Sequence, residues 1–162
     1  MTKGLEWSHG ISENELKTMG EIVLQWSAAD CFIGNSLNFM FQVTDETMRR
    51  ETCAWSLRKK LQFLANVPTT NPHHTLVTEI RRHGLACLGE RNRVAHSYAL
   101  RGSGDGHAFL EAPQKGRRTE LSSLQHYAEN ARRVCGLALK LNAALAAPWI
   151  VDAAWFDQSR DP

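Results

Sequence analysis

The chain of 162 residues has no Cys-x-x-Cys pair, no long uninterrupted apolar run and no strong excess of one charge. Each absence removes a class of function. The four cysteines, Cys31, Cys53, Cys87 and Cys135, stand far apart, which argues for reduced, buried thiols and against a zinc or dithiol motif. A bilayer span takes about 20 apolar residues. The longest apolar stretch, over 141–156, is broken by Asn142, Pro148 and Asp152. The first residues carry Lys3, Glu6, His9 and Glu13 where a secretory signal has its apolar core. The expectation is a cytoplasmic protein that does not enter membranes. The formal net charge of +2 is too small for a dedicated duplex binder, so any anion site must come from local clustering.

Several catalytic patterns are missing as well. The glycine run over 102–106 lacks the strand-to-helix context of a phosphate loop. Ser97 lacks the flanking glycines of a nucleophile elbow. His73, His74 and His83 have no carboxylate or thiol at ligand spacing, so no metal site and no cofactor is expected. No pair of carboxylates is placed for glycoside hydrolysis.

What is present is amphipathic helix. The apolar fraction of 43% and charged fraction of 22% suit one folded domain. Ser12 and Glu15 form a capping box. Behind them Leu16, Met19, Ile22, Val23, Trp26, Ala29, Ile33 and Leu37 recur at three- and four-residue spacing, which predicts a helix over 13–43. Thr44 and Asp45 open a second helix whose buried series is Leu57, Leu61, Leu64 and which ends at Val67-Pro68. Asn71 and Pro72 suit the start of a third, with Leu76, Ile80, Cys87 and Leu88 as its stripe. Two β-like runs, at 98–100 and 108–110, flank the glycine run and predict a small hairpin. A basic connector over 113–118 leads to a fourth helix starting near Thr119 or Ser122. That helix has Leu124, Tyr127, Ala131, Val134, Ala138, Leu141 and Leu145 on one face, and Pro148 ends it. The predicted fold is all-α, a four-helix up-and-down bundle with a hairpin or loop insertion between the third and fourth helices. Residues 1–11 are read as an arm, 12–147 as the helical core and 148–162 as a tail. Trp7 and Trp155, in the terminal segments, are open between packing and base stacking.

Chemistry concentrates at the end of the third helix, in Glu90-Arg91-Asn92-Arg93-Val94-Ala95-His96. Arginine carries a permanent charge on a planar donor fork suited to phosphate. Histidine exchanges protons near neutral pH. Asn92 and His96 are four apart and share a helix face, with Arg91 about 100° to one side. The competing reading is structural: Arg91 pairs with Glu90 or Glu79, and His96 is a C-terminal helix residue favoured by the dipole.

The segment Arg91-Asn92-Arg93-Val94-Ala95-His96 resembles the signature of the HEPN superfamily (higher eukaryotes and prokaryotes nucleotide-binding domains). In that signature an Arg and a polar neighbour precede a His that follows four intervening residues. The similarity in organisation spans about 12–145, and the specific residues are Arg91, Asn92 and His96. It implies a metal-independent endoribonuclease acting as a homodimer with a composite site, often a toxin with an antitoxin partner or a phage-defence component. By the same resemblance His96 is the general base or acid, Arg91 stabilises the pentacoordinate phosphate, and Asn92 orients phosphate or imidazole. Arg93, Arg117 and Arg118 are candidate contacts to the RNA backbone. The other basic pairs, including Lys59-Lys60, are read as solvated faces. The alternative within the superfamily is a non-catalytic helical module that binds RNA, a nucleotide or a protein partner.

Overall fold

The computed structural model describes residues 11–96, 98–101, 108–111, 118–120 and 123–158. Helix dominates them, and the body of the fold is all-α. In chain order, α1 is Glu13–Met40, α2 Glu46–Ala54, α3 Leu57–Phe63, α4 His74–His96 and α5 Leu124–Gln158. A 3-10 turn, Leu64–Asn66, follows α3. Between α4 and α5 lie three strands, β1 Tyr98–Arg101, β2 Ala108–Glu111 and β3 Arg118–Glu120. They pair antiparallel in the order β1-β2-β3, with Tyr98 opposite Glu111 and Glu111 opposite Arg118. Arg118 therefore begins a strand, where the sequence suggested the end of a connector. Trp7, Ser97, the glycine run over 102–106 and Arg117 lie outside the described residues.

The capping box of α1 is present. The Glu15 backbone N–H donates to Ser12 Oγ at 3.2 Å, and the Ser12 N–H donates to the Glu15 carboxylate at 2.6 Å. Ile22, Trp26, Ala29, Ile33 and Leu37 are the buried line of this helix. Leu16 and Val23, expected on that line, are 53% and 43% exposed. Both sit about 100° around the helix from it, so three- and four-residue spacing alone overextends the stripe. Cys31 lies about half a turn from the same line and is exposed, as is Cys53, whereas Cys87 and Cys135 are buried. The expectation of four buried thiols holds for two of them.

The second predicted helix is broken into α2 and α3. Trp55 takes an extended ψ of 145°, and Ser56 caps the new start by accepting from the Lys59 N–H at 3.3 Å. A serine that can serve as a cap gives the chain a favourable place to interrupt and re-aim. Leu57, Leu61 and Leu64 are buried as read from the sequence. Lys60, read as part of a solvated face, is 2% exposed instead. It lies within about 60° of that leucine line. Its ammonium donates to Asp30 Oδ1 at 2.8 Å and to the Asp30 carbonyl at 3.3 Å. Gly34 makes room for it: a Cβ there would stand 3.4 Å from Lys60 Nζ.

Asn71 and Pro72 precede α4 rather than opening it. Asn71 Oδ1 accepts from the His73 N–H at 2.8 Å and the Asn71 carbonyl from the His74 N–H at 2.9 Å, closing a tight turn before the helix starts. At the other end of the chain, α5 runs through Pro148 to Gln158. A proline removes one ladder hydrogen bond, but Ala143, Ala144, Ala146 and Ala147 before it and Ala153 and Ala154 after it favour helix strongly. The expected break is overridden by those flanks.

Helix α5 lies along both α1 and α4, and α3 packs on α4 and α1. Leu61 of α3 fits against Gly84 of α4, where an added Cβ would meet Leu61 Cδ2 at 2.7 Å. No helix among the described residues is long and apolar enough to cross a membrane.

The Asp30–Lys60 pair makes an asymmetric prediction. The Asp30 side chain is 38% exposed and the Lys60 side chain 2%. Asp30→Ala strands an ammonium in the core and should cost about 3 kcal/mol. Lys60→Met leaves a carboxylate that water can reach and should cost under about 1 kcal/mol. Urea unfolding of both variants checks the order.

Candidate functional site

The last two turns of α4 hold the residues singled out from the sequence. Val94 is 5% exposed and anchors this end of the helix to the core. Asn92 lies about 200° around from it and is exposed, and His96, one turn further on, is exposed on the same side. Arg91 is half-buried, yet its Nη1 donates to Asn92 Oδ1 at 3.1 Å. The guanidinium is thus drawn toward the Asn92–His96 side. One exposed face carries an imidazole, with an amide and a guanidinium joined by a hydrogen bond one turn before it.

Glu90 turns toward α5, and Arg93, though exposed, reaches the same helix. Arg93 Nη1 donates to Tyr127 Oη at 2.8 Å. The Asn130 amide nitrogen donates to both Glu90 oxygens, at 3.2 and 3.0 Å, and lies 3.1 Å from His126 Nε2. The order reverses between the helices: Glu90 meets Asn130 and Arg93 meets Tyr127. The two helices therefore run antiparallel, and two polar ties fix their register. Arg93, read from the sequence as a backbone contact for RNA, has one nitrogen committed to this seam. The Arg118 backbone lies in β3, and Arg117 lies outside the described residues.

Tyr127, Asn130 and His126 were not singled out as site residues, Tyr127 having been read only as part of an apolar stripe. A signal for them exists in the sequence. Glu90 and Arg93 are three apart on one helix, as are Tyr127 and Asn130 on another, and both pairs can lie on one face. Only knowledge that α4 and α5 are antiparallel neighbours turns that spacing into a match.

The remaining titratable groups on α4 have other settings. His74 Nδ1 lies 3.2 Å from the Val67 carbonyl, and Thr78 Oγ1 3.4 Å from its Nε2. Burial, with the neighbouring charges of Arg133 and Arg82, holds the His83 imidazole below its ordinary value. Burial, with the Glu90 carboxylate nearby, pushes the Cys87 thiol up, which keeps it protonated and a poor nucleophile. Burial raises Cys135 likewise. The exposed His96 and Asn92, with the half-buried Arg91 bonded to Asn92, are the sequence-predicted residues that this end of the helix turns away from α5.

Comparison with protein-family models matches no family, and comparisons with curated proteins and with solved structures give no match.

The His83 setting predicts a pH effect. Its folded-state pKa lies below the ordinary 6.5, so the unfolded chain binds the proton more readily. Stability is full above the unfolded value and declines as pH falls from about 6.5 toward the folded value. His83→Gln should flatten the fall in Tm over that interval, and thermal melts from pH 7.5 to 5 check it.

Proposed function

We propose that this chain is a metal-independent endoribonuclease of HEPN type. The observation that carries the proposal is the exposed face at the end of α4, where Arg91 is hydrogen-bonded to Asn92 at 3.1 Å and His96 follows one turn later. RNA carries its own nucleophile, the ribose 2′-hydroxyl, so strand scission needs a proton shuttle and a cation that meets growing phosphate charge. His96 takes the 2′-hydroxyl proton as the oxygen attacks phosphorus. Arg91 meets the charge on the pentacoordinate phosphate. Asn92, held by Arg91, aligns phosphate or imidazole. The P–O5′ bond then breaks, the 5′-oxygen takes up a proton, and the products are a 2′,3′-cyclic phosphate and a 5′-hydroxyl. DNA, lacking the 2′-hydroxyl, is spared.

In this reading α1, the α2–α3 segment, α4 and α5 correspond to the four helices of an up-and-down bundle, and the β1–β3 segment is an insertion between the last two. A homodimer with a composite site, a toxin–antitoxin or phage-defence role, and a cytoplasmic location belong to the same proposal. The exposed position of His96 and Asn92 on α4 supports a site completed by a second copy.

A second reading has its own support. Glu90 and Arg93 are taken up by Asn130 and Tyr127, so half of the charged cluster serves helix packing. That favours a HEPN-like module that binds RNA, a nucleotide or a protein without cleaving it.

The test is incubation of total RNA with wild type and with Arg91→Ala/His96→Ala, in EDTA, with analysis of fragment ends. The ribonuclease reading predicts cleavage by wild type alone, leaving cyclic phosphate and 5′-hydroxyl ends. His96→Ala alone should lower the rate at least about 100-fold with the fold unchanged. RNA retained by wild type without fragments favours the binding module.

A further inference from the structure

We propose that the junction of α1, α2 and α3 is a binding site for a small organic ammonium ion carrying an aromatic or alkyl group. The inference does not rest on the ribonuclease reading. The site is also apart from the α4 terminus: Leu61 of α3 packs at Gly84, which is about 18 Å of helix from His96.

The junction encloses a cavity of about 250 Å³. A dry engineered cavity of about 150 Å³ is enough to hold benzene, so this one has room for a ring and a short side arm. Its walls include three rings in contact. Phe63 stands edge-on to Phe41 at 5.1 Å between centroids and to Trp55 at 5.2 Å, with interplanar angles of 64° in both pairs. Phe41 is 40% exposed and Met48, also in the wall, 59% exposed, so the cavity opens to solvent.

The lining is apolar with one strong exception. Among the described residues Glu51 is the only charged side chain in it, and it is exposed. Thr52 contributes a hydroxyl, but that donates to the Met48 carbonyl of its own helix at 2.9 Å. The charged group the lining can offer a ligand is therefore a carboxylate acceptor beside aromatic rings, with the Trp55 indole N–H as a neutral donor. Ring faces carry negative potential and attract cations. Trp55 already shows this: Lys59 Nζ lies 3.9 Å from its ring centroid. One face of Trp55 is thus taken by Lys59, and Arg49 is held outside by the Val43 carbonyl at 2.7 Å, so the Glu51 carboxylate and the rings of Phe41 and Phe63 are what favour a cationic ligand.

The backbone at the rim is shaped to build this wall. Gln42 has φ of 49°, a left-handed conformation that non-glycine residues seldom adopt. It lets the chain reverse directly after α1, so that Phe41 and Val43, on either side of it, both line the cavity. Sparsely populated conformations of this kind persist where surrounding structure enforces them, often around ligand sites.

The test uses the full chain labelled with ¹³C at the methionine methyls and titrated with phenethylamine, phenethyl alcohol and 3-phenylpropionate. These share a ring and a two-carbon arm and differ in charge. Phenethylamine should shift the Met48 methyl, leave Met19 unmoved, and bind at least about tenfold more tightly than the alcohol, with the carboxylate weakest. Glu51→Gln, at an exposed position, should remove the preference for the amine and leave affinity for the alcohol unchanged. Equal affinity for the three probes, no shift of Met48 at millimolar amine, or an amine preference that survives Glu51→Gln would overturn the proposal.

Discussion

The seam between α4 and α5 is the constraint on which the candidate site depends. A helix end has unsatisfied carbonyls and tends to fray. In this chain the end of α4 is also where the chemistry-bearing residues sit. Two ties, Arg93 to Tyr127 and Asn130 to Glu90, hold its last turns against α5. Val94 adds an apolar anchor between them. With Val94 inward, Glu90 half-buried and the exposed Arg93 reaching across to Tyr127, the helical repeat leaves Asn92 and His96 facing out. The polar side chains of this segment therefore divide into two sets: Glu90 and Arg93 tie α4 to α5, and Arg91, Asn92 and His96 make no hydrogen bond to α5 among the described residues. Hydrogen bonds involving a charged group contribute about 1.5–3 kcal/mol each, enough to keep a short terminal segment in place.

Much of this was legible in the sequence. The capping box at Ser12 and Glu15 gave the start of α1, and the heptad-like spacing from Ile22 to Leu37 gave its buried face. The leucine series 57, 61, 64 was right because an apolar residue on a helix has one environment that suits it. What failed did so where two residue types compete for one outcome. Pro148 argues for a helix end, but alanine-rich flanks argue more strongly for continuation. Ser56 is an ordinary helix residue until its hydroxyl finds the Lys59 N–H, and then it is a cap. Lys60 reads as solvent-facing by composition and as core-facing by position. Position prevailed because Asp30 and the space at Gly34 supply a partner and room, neither of which is visible from α3 alone.

The site was legible to a different extent. The choice of Arg91, Asn92 and His96 as candidates comes from the resemblance of their segment to a family signature, and the helical repeat adds that Asn92 and His96 share a face. The partners on α5 required knowledge of which helices are neighbours and in which direction each runs. The aromatic junction went unread for the same reason. Phe41, Trp55 and Phe63 belong to three different segments, and the left-handed Gln42 at which the chain turns after the first of them leaves no mark in composition. Local patterns report faces; sites made between elements need the tertiary register.

The most direct measurement of whether the α4 terminus performs transesterification is the cleavage rate of two oligonucleotides that differ only in the sugar at a position wild type cuts. One carries ribose there and the other 2′-O-methyl ribose. Cleavage of the first and none of the second is the predicted result, since the attacking oxygen is the substrate's own. Cutting of both at similar rates would contradict it and would mean that water or an enzyme group is the nucleophile.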